Sequence, residues 1–136
     1  MQSESESKIE PVIQSFFARR GGVCLVFLFG SAAAGRLTPE SDVDVAVLFV
    51  EKPDPHRLNS LREDLGAALK RDADLVVLNE ASPILRMQVL KHGKLLYSSA
   101  SAQYSRFFTA TVNEYDDLKR VRRPIEEAVF KAGTHA

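Results

Sequence analysis

The chain has 136 residues, 45% of them hydrophobic, and its 18 Lys and Arg residues balance its 18 Asp and Glu residues. This length and composition are typical of one globular domain that buries roughly two thirds of its unfolded surface. A formal net charge of zero argues against a protein that coats nucleic acid, because such proteins are usually clearly basic. We therefore expect a single domain over residues 1–136 with no direct nucleic-acid binding.

Cysteine usage and the amino-terminal sequence predict a cytoplasmic protein. Cys24 is the single cysteine, which excludes a disulfide framework within the chain and a cysteine-based zinc site. Residues 1–10 are polar and acidic, unlike a secretory signal, which is basic and then apolar. No apolar stretch approaches the roughly 18 residues that span a bilayer, so no membrane partner is expected.

The first half of the chain alternates between helical and strand patterns. Residues 8–19 carry apolar side chains at helical spacing, and Gly21 and Gly22 predict the end of this helix. The unbroken apolar run 23–29 predicts a strand that is covered on both faces, and 42–50 predicts a second buried strand.

The second half continues the alternation. Leucines at helical spacing predict one helix, Ser82 and Pro83 predict the start of another, and Pro124 should kink or divide the last. The predicted elements are a helix over 58–69, a strand over 74–78, a helix over 83–91, a short strand over 95–97 and a helical segment over about 102–131. The order predicts an α+β (α/β) domain: a small mixed sheet of three to four strands backed by helices, with a core over about 8–98.

Two acidic residues open the second predicted strand. Side chains alternate between the faces of a strand, so Asp42 and Asp44 point the same way and Val43 points the other way. Adjacent carboxylates without a counter-charge raise each other's pKa and destabilise the fold. A divalent cation that prefers oxygen ligands removes this penalty, and Mg²⁺ is common at phosphate sites.

Other residues near this motif add to the same chemistry. Gly30 lets the backbone approach a ligand closely, the N–H groups after it can receive a phosphate, and Ser31 adds a hydroxyl. Arg36 could direct positive charge toward a polyphosphate or could be an ordinary exposed turn residue. Alone, Asp-x-Asp or Asp74 would be read as a solvated strand end. Three carboxylates that converge from two strands repel one another, however, so the stability of the fold alone does not favour this arrangement.

The motif Gly30-Ser31, ten further residues and Asp42-Val43-Asp44 resembles the signature of the DNA polymerase beta-like nucleotidyltransferase superfamily. The small size and Asp74 resemble its minimal nucleotidyltransferase branch. The resemblance implies that Asp42, Asp44 and Asp74 bind metal and that Gly30 and Ser31 contact the triphosphate. Many relatives carry an arginine just before the second glycine, where this chain has Ala34. Arg36 is the candidate to take the place of that arginine. The alternative is that this chain has no such arginine and binds the triphosphate more weakly.

The resemblance further implies an activity and a partner. We expect an enzyme that uses two Mg²⁺ ions to transfer AMP from ATP to a hydroxyl, with Asp74 receiving the proton. Because the chain is short for an enzyme that encloses two substrates, we expect the acceptor to be a protein. Relatives of this kind are commonly antitoxins that adenylylate a tyrosine of a HEPN-type ribonuclease toxin. Two alternatives are an antitoxin that neutralises its partner by binding alone and a small-molecule nucleotidyltransferase of the aminoglycoside type.

Three further features carry more ordinary interpretations. Cys24 is expected to be a small core residue, and His92 to favour the carboxyl end of a helix electrostatically. The basic residues between 119 and 123 are read as a solvated helix face in preference to a nucleic-acid contact. The later half of the last helix extends beyond what the sheet requires, so we expect a partner surface there.

Overall fold

A computed structural model describes residues 4–30, 33, 35, 38 and 41–131, and describes side chains for those between 9 and 120. The helices are α1 (Glu4–Arg20), α2 (Pro55–Leu69), α3 (Pro83–His92) and α4 (Ser101–Lys131), and the strands are β1 (Val23–Phe29), β2 (Val43–Phe49), β3 (Ala73–Val77) and β4 (Lys94–Ser98). Every predicted element is present. The starts of α1 and α2 lie a few residues before the predicted ones, and the other bounds agree within one residue.

The strands form one mixed sheet in the order β3-β2-β1-β4. Strand β1 pairs antiparallel with both β2 and β4, whereas β2 and β3 are parallel. Helix α2 makes the crossover between the two parallel strands, as a parallel connection requires. The predicted class, a small mixed sheet backed by helices, is confirmed.

The sheet has a separate hydrophobic cluster on each face. Helices α1 and α2 cover one face, where Val43, Val45 and Val47 of β2 are fully buried. Helices α3 and α4 cover the other face, where Phe27 of β1 packs with Phe107 of α4. Because β1 is central and covered on both sides, its unbroken apolar sequence is explained.

Local capping accounts for the helix ends. Asp54 accepts a hydrogen bond from the Arg57 N–H at 2.7 Å, which places the start of α2 at Pro55, within the segment that the sequence predicted to be a loop. The predicted Ser82 cap is present, with the Leu85 N–H donating to its Oγ at 3.1 Å. Helix α4 continues to Lys131, so of the predicted kink or division at Pro124 the division is wrong.

Among the described residues, no helix combines the length and the apolar character that a membrane crossing needs.

Candidate active site

Strand topology brings the predicted acidic residues to one end of the sheet. Antiparallel pairing places Phe29, the last residue of β1, opposite Asp44 near the start of β2. Parallel pairing makes Asp44 the register partner of Asp74 on β3. The end of β1 and the beginnings of β2 and β3 therefore meet at one edge, and Asp42 immediately precedes β2 there.

Asp42 and Asp74 lie close enough to Asp44 for their charges to affect its ionisation. Asp44 is half-buried, whereas Asp42 and Asp74 are exposed. Burial raises the pKa of Asp44 above its ordinary value, and the negative charges of Asp74 and then Asp42 raise it further. A nearby cation would offset the negative charges that raise the pKa of Asp44.

Gly30 is required at its position for two reasons. Its φ of +72° lies in the left-handed region, which side chains other than glycine's rarely adopt. A Cβ atom at this position would overlap the Asp44 carboxylate and lie 3.2 Å from its Cγ. The absence of a side chain at Gly30 therefore leaves room for the Asp44 carboxylate.

A short turn, closed by hydrogen bonds between Thr38 and Ser41, immediately precedes Asp42. The Ser41 N–H donates to the Thr38 carbonyl oxygen at 3.1 Å, and the Thr38 N–H donates to Ser41 Oγ at the same distance. Arg71, in the loop between α2 and β3, donates from Nη2 to the Thr38 carbonyl oxygen at 2.9 Å. The Val43 N–H at the start of β2 donates to the Asp72 carbonyl oxygen at 3.0 Å, so the turn and the start of β2 are each bonded to the loop before β3.

The acidic cluster suits a hard divalent cation by the chemistry of its donors. All three side chains offer carboxylate oxygens, the ligands that Mg²⁺ prefers, and their mutual repulsion acts on Asp44. Within the described part of the chain, no three His, Cys, Asp or Glu side chains are arranged as a ready-made metal site. Asp42, Asp44 and Asp74 fit Mg²⁺ by the chemistry of their donor atoms.

A cavity of about 720 Å³ opens beside the carboxylates on the β3 side. It is lined by Asp42, Arg62, Glu63, Gly66, Ala67, Arg71, Asp72, Ala73 and Asp74. The sequence patterns did not identify Arg62 or Arg71. A basic residue on a helix or in a loop is too common to be diagnostic, and the position of Arg71 three residues before Asp74 was the one available signal.

The other predicted residues divide into two groups. Ser31 and Arg36 lie outside the described residues. Cys24 is buried in the cluster under α3 and α4, in agreement with its interpretation as a core residue. His92 ends α3, as expected.

This edge, with Gly30 directly after β1 and the paired aspartates at the start of β2, carries the motif that resembles the nucleotidyltransferase signature. The polymerase beta nucleotidyltransferase family model matches residues 12–102. The chain belongs to this family, and the family inferred from its motifs is confirmed.

Relatives within the family include protein adenylyltransferases. The chain is 33% identical over 130 residues to protein adenylyltransferase MntA of Shewanella oneidensis strain MR-1, an alignment covering 96% of this chain and 91% of the relative. It is 27% identical over 109 residues to MntA of Aphanizomenon flos-aquae, covering 73% of each chain. The chain is therefore a homologue of the MntA proteins.

Solved structures of toxin–antitoxin complexes share the fold. A chain of a toxin–antitoxin crystal structure with AMP-PNP has a TM-score of 0.73 and 32% identity, covering 92% of this chain and 98% of the other. A structure of the tri-AMPylated Shewanella oneidensis HEPN toxin in complex with its MNT antitoxin gives a TM-score of 0.69 and 31% identity, covering 96% and 99%.

Proposed function

We propose that this chain is a Mg²⁺-dependent protein adenylyltransferase that transfers AMP from ATP to a tyrosine hydroxyl of a HEPN-type toxin and acts as the antitoxin of that partner. The observation that carries the proposal is the pairing of Asp44 with Asp74 across two parallel strands, beside Gly30. The homology to MntA supports protein as the acceptor and AMP as the transferred group. The AMP-PNP complex of a relative supports ATP as the donor.

Asp42, Asp44 and Asp74 are the residues that would hold Mg²⁺, and we expect two ions. When bound, Mg²⁺ neutralises the triphosphate and stabilises the charge that develops during transfer. Gly30 and Ser31 would contact the triphosphate through backbone N–H groups and the Ser31 hydroxyl. Arg36 would add a positive charge for the same phosphates.

The reaction forms one phosphorus–oxygen bond and breaks another. The acceptor hydroxyl oxygen attacks the α-phosphorus of ATP, and the bond from that phosphorus to the bridging oxygen of the β-phosphate breaks. Pyrophosphate leaves with the bonding electrons, and Asp74 receives the hydroxyl proton. The products are a phosphodiester on the acceptor and pyrophosphate.

A partner that is itself a ribonuclease must be silenced where it would otherwise act, so we propose the cytoplasm as the location. The single cysteine at Cys24, which is buried, is compatible with a reducing compartment.

Intact-mass measurement tests this proposal. The purified chain is incubated with Mg²⁺, each nucleoside triphosphate in turn and the product of the neighbouring gene, tested as the candidate HEPN-type partner. We expect the partner to gain the mass of AMP with ATP. Asp42→Asn and Asp44→Asn should abolish the gain while the far-UV circular dichroism spectrum stays unchanged. Asp64→Asn, an exposed position on α2 away from the site, is the matched control and should retain transfer.

The same experiment separates the two alternatives. A tight complex with no gain in mass would favour neutralisation by binding alone. A gain in mass on an added aminoglycoside, with none on the partner, would favour a small-molecule enzyme. Full activity of either aspartate variant would overturn the assignment of the metal site.

A further inference from the structure

Asp42 differs from the other two carboxylates in how its backbone is held. Asp44 and Asp74 lie within β2 and β3 and are register partners of the parallel pair. Asp42 lies before the first residue of β2 and is exposed. Its position therefore depends on the turn closed by Thr38 and Ser41, and not on the sheet alone.

One hydrogen bond joins Thr38 and Ser41 to the rest of the described chain. The bonds between these two residues fix the shape of the turn, but they do not fix where the turn lies relative to the sheet. Arg71 supplies that link, because its Nη2 donates to the Thr38 carbonyl oxygen at 2.9 Å. A hydrogen bond from a charged donor is stronger than one between neutral groups. The guanidinium therefore fastens the turn to the loop between α2 and β3.

The backbone of Arg71 is itself held firmly in place. Its N–H donates to the Gly66 carbonyl oxygen at 3.2 Å, and its side chain is half-buried. A Cβ atom at Gly66 would lie 3.2 Å from the Arg71 carbonyl oxygen, so α2 and this loop are closely packed. Asp74 follows Arg71 in the same segment of chain. One loop therefore sets the position of Asp74 through the backbone and that of the turn before Asp42 through the guanidinium.

The Arg71 guanidinium is not engaged by a carboxylate. In the described part of the chain it forms no salt bridge with Asp or Glu. Its Nη1 is buried and has no hydrogen-bond partner among the same residues. The contact through which Arg71 acts on the site is thus the Thr38 carbonyl oxygen, and not an ion pair with one of the aspartates.

We propose that Arg71 is a positioning residue of the active site, which holds the turn at Thr38 and thereby keeps the Asp42 carboxylate beside Asp44 and Asp74 for Mg²⁺. This inference rests on the proposed function. Residues that hold metal ligands in place through hydrogen bonds typically contribute about 10–100-fold to metal affinity or activity. Arg71 itself neither binds the ion nor takes part in bond formation.

The sign of the effect on Mg²⁺ affinity separates positioning from simple electrostatics. A positive charge near three carboxylates repels Mg²⁺, so loss of the charge alone would raise the affinity for the ion. Loss of the positioning bond lowers the affinity, because the backbone before Asp42 is no longer held. Arg71→Met removes both the charge and the bond while keeping most of the side-chain volume. A fall in affinity would therefore show that the bond is the larger effect.

Calorimetric titration with Mg²⁺ in the presence of AMP-PNP, without an acceptor protein, measures this affinity independently of AMP transfer. We expect Arg71→Met to weaken Mg²⁺ binding about tenfold. Arg57→Met, at an exposed arginine in the first turn of α2, is the matched control and should leave the affinity unchanged. In an Asp42→Asn background, Arg71→Met should change the affinity by less than about twofold, because its effect passes through Asp42.

Amide hydrogen exchange reports directly on the turn. The Ser41 N–H, which is bonded to the same Thr38 carbonyl oxygen, should exchange about tenfold faster in Arg71→Met. The Gly93 N–H, bonded to the Val89 carbonyl oxygen at 2.8 Å at the end of α3, is the control and should exchange at an unchanged rate. Arg71→Lys keeps a charged donor, and its Mg²⁺ affinity should recover to the extent that the protection of Ser41 recovers.

The outcomes distinguish this inference from the proposed function. Unchanged exchange of the Ser41 N–H in Arg71→Met, or a Mg²⁺ affinity that stays the same or rises, would overturn the positioning role and leave the proposed function standing. An equal loss of affinity in the Asp42→Asn background would also overturn it, because Arg71 would then not act through Asp42. No Mg²⁺ binding by the unmodified chain would refute the metal site of the proposed function, and the exchange of Ser41 would then decide alone whether Arg71 holds the turn.

Discussion

The contact between Gly30 and Asp44 predicts a specific cost for replacing the glycine by alanine. The change imposes a left-handed backbone on a residue with a Cβ, which costs about 1–2 kcal/mol. It also brings the new Cβ into the Asp44 carboxylate, and rotation of that side chain out of its rotamer costs about 1 kcal/mol more. We expect Gly30→Ala to lower the free energy of unfolding by about 2–3 kcal/mol.

Gly21 provides a matched control because its φ of +71° is almost the same and a Cβ there would meet nothing within 4 Å. Gly21→Ala should therefore show the backbone cost alone. The difference between the two variants, about 1 kcal/mol, corresponds to roughly 4 °C in midpoint temperature, measurable by thermal unfolding followed with circular dichroism.

The two variants should differ more in activity than in stability. Displacement of Asp44 by about 1 Å is enough to lower the rate of AMP transfer on the order of 100-fold, because the reacting groups must be held in near-attack geometry. Gly21→Ala should transfer AMP within about twofold of the unmodified chain. If Gly30→Ala is no less stable than Gly21→Ala and remains active, the close approach to Asp44 is not the reason for glycine at this position.

Two further perturbations test the electrostatics and the packing. Asp44→Asn should stabilise the metal-free chain at neutral pH, since the raised pKa of Asp44 means that the folded state holds its proton more tightly than the unfolded state does. The free energy of unfolding of the unmodified chain should accordingly fall as pH rises from the pKa of Asp44 in the unfolded state to its higher pKa in the folded state. Thermal melts from acidic to neutral pH should show this loss for the unmodified chain and not for Asp44→Asn. Arg86→Ala should destabilise by about 2 kcal/mol, measured by urea unfolding, because the Arg86 guanidinium donates to the carbonyl oxygens of Leu78 at 2.8 Å and Asn79 at 3.0 Å. A loss equal to that of Arg106→Ala, an exposed arginine on α4, would contradict this role.

Local patterns were sufficient to predict most of the fold. The run 23–29 is apolar throughout because β1 lies at the centre of the sheet with helices on both faces. The helix α3 could be placed because Ser82, Pro83 and Gly93 mark its ends chemically. Such signals involve only a few neighbouring residues, so they can be recognised from the sequence alone.

The misplaced helix starts have equally local causes. Residues 4–7 are polar and give no apolar periodicity, so the early start of α1 had no signal. Pro53 and Pro55 suggested a loop, although a proline in the first turn with Asp54 as cap is compatible with a helix.

The pairing of strands that are distant in the sequence could not be predicted from local patterns. The aspartates of the candidate site could be selected by residue type and spacing, but the register that pairs Asp44 with Asp74 depends on which strands become neighbours. The Arg71 bond to Thr38 joins residues 33 positions apart and depends on the same topology. The cavity with its two arginines therefore emerged only from the folded arrangement.

Gly30 illustrates the difference between finding a residue and explaining it, and a double variant distinguishes the two explanations. The motif selects Gly30, but glycine could be needed for its backbone conformation or for the space it leaves to Asp44. In an Asp44→Ala background the carboxylate is gone, and only the Asp44 Cβ remains, 3.3 Å from the new Cβ, a contact that a small shift can relieve. If space is the reason, Gly30→Ala in this background should cost only as much as Gly21→Ala, which gives a coupling of about 1 kcal/mol between positions 30 and 44. An undiminished cost would leave the backbone conformation as the whole explanation and would remove Gly30 from the set of residues that shape the carboxylate cluster.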